Sequence, residues 1–111
     1  MNKSKRPPQT KRTTLPRDIE KTKSFYRDWD RLWESGKHDM TRLKEVMLLL
    51  IANEGPLSPE WKDHELKGNW AGHRECHVGG DFLLIYELDD VPKDEGAVIF
   101  VRAGSHSDLF G

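Results

Sequence analysis

The sequence predicts a single α+β domain in which a helical hairpin covers one side of an antiparallel β-sheet, in the order β-α-α-β-β-β. Two observations support this prediction. Apolar residues recur at helical spacing between residues 19 and 52, whereas the second half alternates around Gly79-Gly80, a pair typical of a β-hairpin turn. The composition, 35% hydrophobic and 33% charged over 111 residues, agrees with one small core.

Charge is distributed unevenly along the chain. Residues 1–17 contain six basic side chains and no acidic one, so the remainder holds 12 basic and 19 acidic residues. We expect residues 1–10 to form a disordered basic arm, either solvated or phosphate-seeking, and residues 11–111 to form the folded domain. The chain shows no signal peptide and no membrane-spanning apolar run, and its single cysteine fits a reducing compartment. We therefore expect a cytoplasmic location.

The first half of the domain predicts a short strand followed by two helices. Residues 11–15 (KRTTL) contain β-branched threonines and precede a proline, which favours a first strand. A helical period begins at about Ile19. Gly36 is a natural stop for this helix and Asp39 a natural N-cap for the next, which ends at Gly55-Pro56. The apolar stripes of the two helices contain Phe25, Trp29, Leu32, Trp33, Met40, Leu43, Val46, Met47 and Leu50.

The second half predicts three antiparallel strands. A long connection leads to them, and we expect Trp61 and Leu66 to hold it against the core. In the last strand, alternation directs the odd-numbered residues to the core and Arg102 to the opposite face. An acidic loop precedes this strand, and a short tail follows it. The strands are expected at about Trp70–Val78, Asp81–Leu88 and Ala97–Ala103.

A two-residue turn at Gly79-Gly80 would pair His77 with Phe82 in the hairpin. Side chains alternate across a strand, so this register defines two faces. One face, which we expect to be the working surface, carries His73, Glu75, His77, Phe82, Leu84 and Tyr86. The other, which we expect to lie on the core, carries Arg74, Cys76, Val78, Asp81, Leu83 and Ile85. Cys76 is accordingly predicted to be a core residue rather than a nucleophile.

A set of polar residues could support RNA cleavage without a metal. Imidazoles take and give protons near neutral pH, and a guanidinium is a fixed cation that can bind a phosphate. The residues that could combine these roles are His64, His77, His106, Asp81 and Arg102. Scattered histidines are also common on the surfaces of small domains, so this set alone does not establish a nuclease.

Zinc binding is the competing interpretation of the hairpin histidines. His73 and His77 share a predicted strand face with Glu75 between them. Positions four apart on a strand are separated by about 13 Å, whereas each imidazole must approach a zinc ion to about 2 Å. We therefore expect no metal and no other cofactor.

Four segments carry a resemblance to a known family. They are residues 63–70 (DHELKGNW), 74–78 (RECHV), 81–86 (DFLLIY) and 102–111 (RAGSHSDLFG). In this order they resemble the YafQ-type toxins of the RelE/ParE superfamily of bacterial toxin–antitoxin systems, and the last segment is the most specific. Phe82 and Glu75 depart from the family pattern, which has tryptophan and aspartate there. These departures leave the codon preference open.

The resemblance implies a RelE-like fold and a ribosome-dependent endonuclease that cleaves mRNA and is held inactive by an antitoxin protein. The expected partners are therefore the antitoxin, the ribosome and mRNA. Two alternatives belong to other classes: a non-catalytic toxin that binds another target, as the gyrase-directed branch of the superfamily does, and a solitary RNA-binding module. The implied site consists of His106 as the leading acid–base residue, His64 and His77 beside the scissile phosphate, Asp81 as base or orienting group, Arg102 on the phosphate, and Phe82 and Phe110 on the substrate.

Overall fold

The computed structural model describes residues 15–90 and 96–111, which form five strands, three α-helices and two short 3-10 turns. The elements are β1 (Asp18–Lys21), α1 (Lys23–Ser35), α2 (Met40–Ala52), β2 (His64–Glu65), β3 (Arg74–Gly79), β4 (Phe82–Asp89), β5 (Ala97–Gly104) and α3 (His106–Phe110). The 3-10 turns are Pro59–Trp61 and Gly68–Trp70. None of the helices in the described ranges is long and apolar enough to span a membrane.

The strands form one sheet in the order β1-β5-β4-β3-β2. The neighbours from β5 to β2 pair antiparallel, whereas β1 pairs parallel to β5. The helices α1 and α2 follow β1 and lie on one face of this sheet. The predicted α+β class, with a helical hairpin against a sheet, is therefore confirmed.

The beginning of the domain differs from its prediction. The predicted strand 11–15 lies, apart from Leu15, outside the described residues, and the predicted helix start at Ile19 was wrong because Asp18–Lys21 is a strand. Thr22 explains the change from strand to helix. Its hydroxyl accepts from the backbone N–H of Phe25, which caps α1, and donates to the carbonyl of Val101 at 2.7 Å. The predicted arm 1–10 also lies outside the described residues.

The helix ends follow local signals. Gly36 ends α1 in the left-handed conformation, with φ of 67°, which a residue without Cβ adopts at little cost. Asp39 caps α2 by accepting from the N–H of Arg42. Both predictions are confirmed. The second helix ends earlier than predicted, at Ala52, because Asn53 already adopts the left-handed conformation with φ of 56°.

The main core lies between the helical hairpin and the sheet. Trp61, only 1% exposed, fixes the connection after α2 to this core, as predicted. Cys76 is fully buried, and this burial raises the pKa of its thiol, so the prediction of a core residue is confirmed. The core consists of Phe25, Leu32, Met40, Leu43, Val46, Met47, Leu50, Trp61, Cys76, Val78, Phe82, Leu84, Tyr86, Val98, Phe100 and Ala103.

The predicted register of the β3–β4 hairpin was wrong by one residue. His77 pairs with Leu83, and Gly79 pairs with Phe82, because an irregularity between His77 and Gly79 adds a residue to β3. The faces predicted for β3 are therefore kept, whereas those of β4 are exchanged. The residues of β4 that lie in the main core are Phe82, Leu84 and Tyr86, and those on the opposite face are Leu83 and Ile85.

A second irregularity shifts the faces of β5. The pairs Ile85 with Arg102 and Tyr86 with Phe100 leave one extra residue, Val101, in β5. As a result Phe100 points into the main core, and Val101 packs on the other side of the sheet. Up to Val101, the side chains of β5 therefore face the sides of the sheet opposite to those predicted.

The predicted tail is the short helix α3, so the sheet carries packing on both faces. Ser105 accepts from the N–H of Asp108, and the carboxylate of Asp108 accepts from the N–H of Ser105, which forms a reciprocal cap. Leu109, 7% exposed, packs against Leu83 and Ile85. A helix of five residues is unstable alone, so these contacts hold α3 in place.

Candidate active site

The sheet face opposite the helical hairpin gathers the titratable side chains. In the β2–β3 pair, His64 lies directly across from Glu75, and directly paired residues project on the same side of a sheet. His77 follows two positions after Glu75 and therefore shares this side. The first residue of α3, His106, reaches the same surface, and its ring centroid lies 6.3 Å from that of His77.

Glu75 forms the centre of this group. Its side chain is 5% exposed, and its Oε1 lies 3.3 Å from Nε2 of His64 and 3.8 Å from Nε2 of His77. The buried carboxylate therefore lies between two imidazoles, and either ring, when protonated, forms an ion pair with it. The sequence indicated the shared face of Glu75 and His77, but it assigned Glu75 no role because β2 was not predicted.

The position of His64 depends on its neighbour Asp63. The Asp63 carboxylate accepts from Nη2 of Arg74 at 2.7 Å and from the hydroxyl of Tyr86. Burial and the bond to Asp63 raise the pKa of the Tyr86 hydroxyl, so it remains a donor. These bonds attach the start of β2 to β3 and β4, and they hold His64 beside Glu75.

His106 is oriented by Asp81. One carboxylate oxygen of Asp81 lies 2.5 Å from Nδ1 of His106 and accepts from the backbone N–H of His106 at 3.0 Å. These bonds, led by the one from the backbone, hold the pKa of Asp81 below its usual range, so it is an anion at neutral pH. An Nδ1–H that donates to Asp81 leaves Nε2 of His106 able to take or give a proton.

Aromatic rings extend the site along α3. The ring of Phe110 lies 6.1 Å from that of His106 and 6.0 Å from that of Trp70, measured between centroids. Phe110 is 43% exposed, so its ring is open to a ligand. Trp70 also packs edge-on against His73 at 5.1 Å. Trp70 was not predicted as a site residue, because only the folded 3-10 turn brings it beside α3.

Arg102 lies at the margin of the site, paired with Asp28 of α1. Its Nε and Nη2 donate to the carboxylate of Asp28 at 2.7 and 3.1 Å, and that carboxylate also accepts from the backbone N–H of Ala103. Asp28 thereby provides a hydrogen-bond acceptor for the backbone of β5 beyond the point where its pairing with β1 ends. The pKa of Arg102 is raised chiefly by Asp28, and Asp108 of α3 contributes through space.

The structure brings together most of the predicted site. His64, His77, His106, Asp81 and Phe110 share one surface, as the distances above show. The placement of Phe82 on the working face was wrong, because the extra residue in β3 turns its side chain into the main core, where it is 5% exposed. No hydrogen bond or ion pair joins Arg102 to the three imidazoles in the described part of the chain.

The hairpin histidines that suggested zinc are separated. Nε2 of His73 lies 3.6 Å from a carboxylate oxygen of Glu87, whereas His77 faces Glu75. Within residues 15–90 and 96–111, no group of three or more histidine, cysteine, aspartate or glutamate side chains is arranged to hold a metal ion.

Comparison with known proteins gives the family of most of the chain. Residues 17–111 match the family described as bacterial toxin of type II toxin-antitoxin system, YafQ. The mRNA interferase toxin YafQ of Escherichia coli K12 is 41% identical over 97 residues, which cover 87% of this chain and 99% of the relative.

Solved structures extend the comparison. The E. coli DinJ-YafQ complex gives a TM-score of 0.73 at 42% identity, covering 86% of this chain and 99% of that one. A metal-bound toxin from Helicobacter pylori gives a TM-score of 0.69 at 40% identity, covering 84% and 98%. The family match and the identity over nearly all of the described residues lead to one conclusion. The chain belongs to the YafQ family of toxins of bacterial type II toxin–antitoxin systems.

Proposed function

We propose that this toxin is a metal-independent endoribonuclease that cleaves mRNA on the ribosome, stops translation in the cytoplasm, and is held inactive by a cognate antitoxin. The observation that carries the proposal is the convergence of two acid–base groups on one open surface: His64 and His77 around Glu75, and His106 on Asp81. The E. coli relative, named an mRNA interferase, and the DinJ-YafQ complex support the activity and the type of partner.

The proposed reaction is an internal transfer of the phosphoryl group. The 2′-oxygen attacks the adjacent phosphorus, the bond from phosphorus to the 5′-oxygen breaks, and a 2′,3′-cyclic phosphate and a 5′-hydroxyl result. One proton leaves the 2′-hydroxyl, and another is delivered to the departing 5′-oxygen. Two imidazole groups can perform both transfers, each worth about 10²- to 10⁴-fold in rate.

His106 is assigned one of these transfers. Asp81 fixes its ring and stabilises the imidazolium that forms when Nε2 takes a proton. His77, whose ring lies 6.3 Å from that of His106, is assigned the other transfer, and Oε1 of Glu75 lies 3.8 Å from its Nε2. The two rings meet edge to face, so a phosphate would lie against both of them on the open side of the pair.

The remaining predicted residues act on the phosphate and the base. Asp28 engages Nε and Nη2 of Arg102, which leaves Nη1 to donate to a phosphate oxygen beside α3. The exposed ring of Phe110 can stack on a nucleobase, a contact worth about 1–3 kcal/mol. The acidic balance of residues 18–111 disfavours tight binding of free RNA, so we assign substrate positioning to the ribosome.

A binding-only toxin is the less favoured alternative. Such a surface requires shape and charge complementarity, whereas three imidazoles arranged around two carboxylates serve proton transfer. Cleavage of mRNA during translation separates the two functions, because a binder would stop growth without producing cut ends.

Replacement of His106 tests the proposal. We expect His106→Ala to reduce translation-coupled mRNA cleavage by about 10²-fold or more, because a proton-transfer group is lost. The unfolding midpoint should change little, because this side chain is 59% exposed. Ser107→Ala, at an exposed neighbour on α3, is the matched control and should cleave normally.

Three outcomes contradict the proposal or part of it. Normal cleavage by a folded His106→Ala variant would remove His106 from the reaction. Wild-type protein that blocks growth without cut mRNA would favour the binding-only alternative. Cleavage that depends on added zinc or copper, at the magnesium concentration that keeps ribosomes intact, would replace the metal-independent mechanism, and the metal-bound toxin from H. pylori makes this control necessary.

A further inference from the structure

A groove next to His106 is not used by the proposed reaction. It has a volume of about 380 Å³ and lies between the α1–α2 connection, the β3–β4 turn and the residue before α3. This volume is within the range of about 300–1,000 Å³ typical of small-molecule sites. Asp81 and Ser105 belong to its wall. Because Asp81 also binds His106, the groove and the candidate active site are continuous.

The groove contains a fixed aromatic platform. The ring of His38 lies 4.8 Å from the buried ring of Phe82, measured between centroids, with 51° between their planes. The carbonyl of His38 accepts from the N–H of Met40 at 2.9 Å, so the start of α2 holds the backbone of His38 in place. A half-buried imidazole supported in this way presents a flat surface to the groove.

The groove also has one available cation. Arg42 is committed, because its guanidinium lies 4.0 Å from the ring centroid of Trp61 and its Nε donates to the carbonyl of Val78 at 2.6 Å. Asp39 is likewise occupied as the cap of α2. Lys37, exposed at the rim, makes no ion pair with the residues that the structure describes. Its ammonium group can therefore bind a phosphate.

We propose that this groove binds the nucleotide next to the scissile phosphate, with the base stacked on His38 and its phosphate on Lys37. The inference rests on the proposed function. A strand whose scissile phosphate lies against His77 and His106 would pass Asp81 into the groove, while Phe110 receives the nucleotide on the other side. The scissile phosphate is then flanked by two aromatic surfaces, and the identity of the groove nucleotide affects cleavage.

Substitutions at the platform and the rim test this inference in the full-length toxin. The measurements are the cleavage rate at increasing concentrations of programmed ribosomes and the nucleotide frequencies on each side of the cut. We expect His38→Ala to raise the half-saturating concentration about 5- to 140-fold, the equivalent of one lost stacking contact. The preference at one flanking position should weaken, and His38→Phe should restore binding.

Lys37→Ala provides an independent measurement. It should weaken binding at all sequences alike and reduce the slope of log affinity against log salt by about 1. Lys44→Ala is the matched control. Lys44 lies against the rings of Trp29 and Trp33 on the helical hairpin, outside the groove, so its removal should leave the flanking profile unchanged.

The outcomes distinguish this inference from the proposed function. If wild-type toxin cleaves while His38→Ala and Lys37→Ala cleave with unchanged half-saturation and flanking profile, the groove is not a nucleotide site. If His38→Ala does not fold, the Lys37→Ala variant decides, because Lys37 is exposed. A slope of log affinity against log salt equal to that of the wild type would then overturn the inference. Wild-type toxin that produces no cut ends would instead overturn the proposed function.

Discussion

The two faces of the sheet have different compositions and different tasks. The face beneath α1 and α2 consists almost entirely of buried apolar side chains, among them Cys76, Leu84 and Phe100. The opposite face has a much smaller apolar cluster, Leu83 and Ile85 with Leu109, and carries the imidazoles and Glu75 around it. The comparison indicates that packing on one face provides the stability that lets the other face hold polar, reactive groups.

The reactive face nevertheless needs its small cluster. The position of His106 depends on α3, and α3 is held by the burial of Leu109, by its cap and by Asp81. A substitution on the face beneath α1 and α2 should therefore lower stability without a direct effect on the reaction. A substitution under α3 should affect both stability and activity.

The largest stability effect is expected on the helix side. Leu84→Ala should lower the free energy of unfolding by about 2–5 kcal/mol, because a fully buried side chain is lost and leaves a cavity. Urea unfolding measures the loss. Leu109→Ala is the comparison. It should cost less because its site lies at the margin, but it should reduce cleavage by the folded protein. Equal activity of both variants under conditions where both are folded would contradict the division.

A smaller effect, on activity, is expected at the centre of the reactive face. Glu75→Gln keeps the shape of the side chain but removes the charge shared by His64 and His77, so both rings lose their orientation. We expect translation-coupled cleavage to fall by about 10²-fold, as misplaced reacting groups cause. Glu87→Gln, which alters the pair with His73, is the control. Similar losses in both variants would show a general effect of charge rather than a role for Glu75.

The smallest effect is expected from acid. Hydrogen bonds hold the pKa values of Asp81 and Asp108 below 3.8, the usual value of an aspartate, in the folded protein. Their contribution to stability is therefore complete above that value and is lost as pH falls through the lowered pKa values. Both carboxylates hold α3, so acid should loosen the reactive face first.

Amide hydrogen exchange measured by NMR between pH 5 and pH 2 can follow this loosening. Protection of the N–H of His106, which donates to Asp81, should decrease before that of Leu84 in the core. Simultaneous loss at both positions would show that the two faces respond to acid as one unit.

Local signals in the sequence predicted the helical half well. Gly36 and Asp39 act within a few residues of themselves, so their roles could be read without knowledge of the fold. The site residues on β3 and α3 were also predicted, partly from alternation and partly from family resemblance. Ser105 and Asp108 have the spacing of a capping box, a signal that would have predicted α3 in place of a tail.

The errors arose where distant contacts decide the outcome. The irregularity between His77 and Gly79 depends on how two strands and a turn fit together, and no single residue in the sequence predicts it. The partner of Arg102, Asp28, lies 74 positions earlier in the chain, so no local pattern indicated this pair. Likewise Glu75 became a site residue only when β2 placed His64 across from it.

The shift in β3 has a consequence for how the hairpin assembles. The strand β4 is apolar at five successive positions, Phe82 to Tyr86, so either of its sides could be buried at similar gain. Its partner is less ambiguous, because Glu75 and His77 would be costly beneath the helices. The polar groups of β3 that we assign to RNA cleavage therefore also determine which side of β4 faces the core. A variant in which these groups are apolar could fold with the two faces of β4 exchanged.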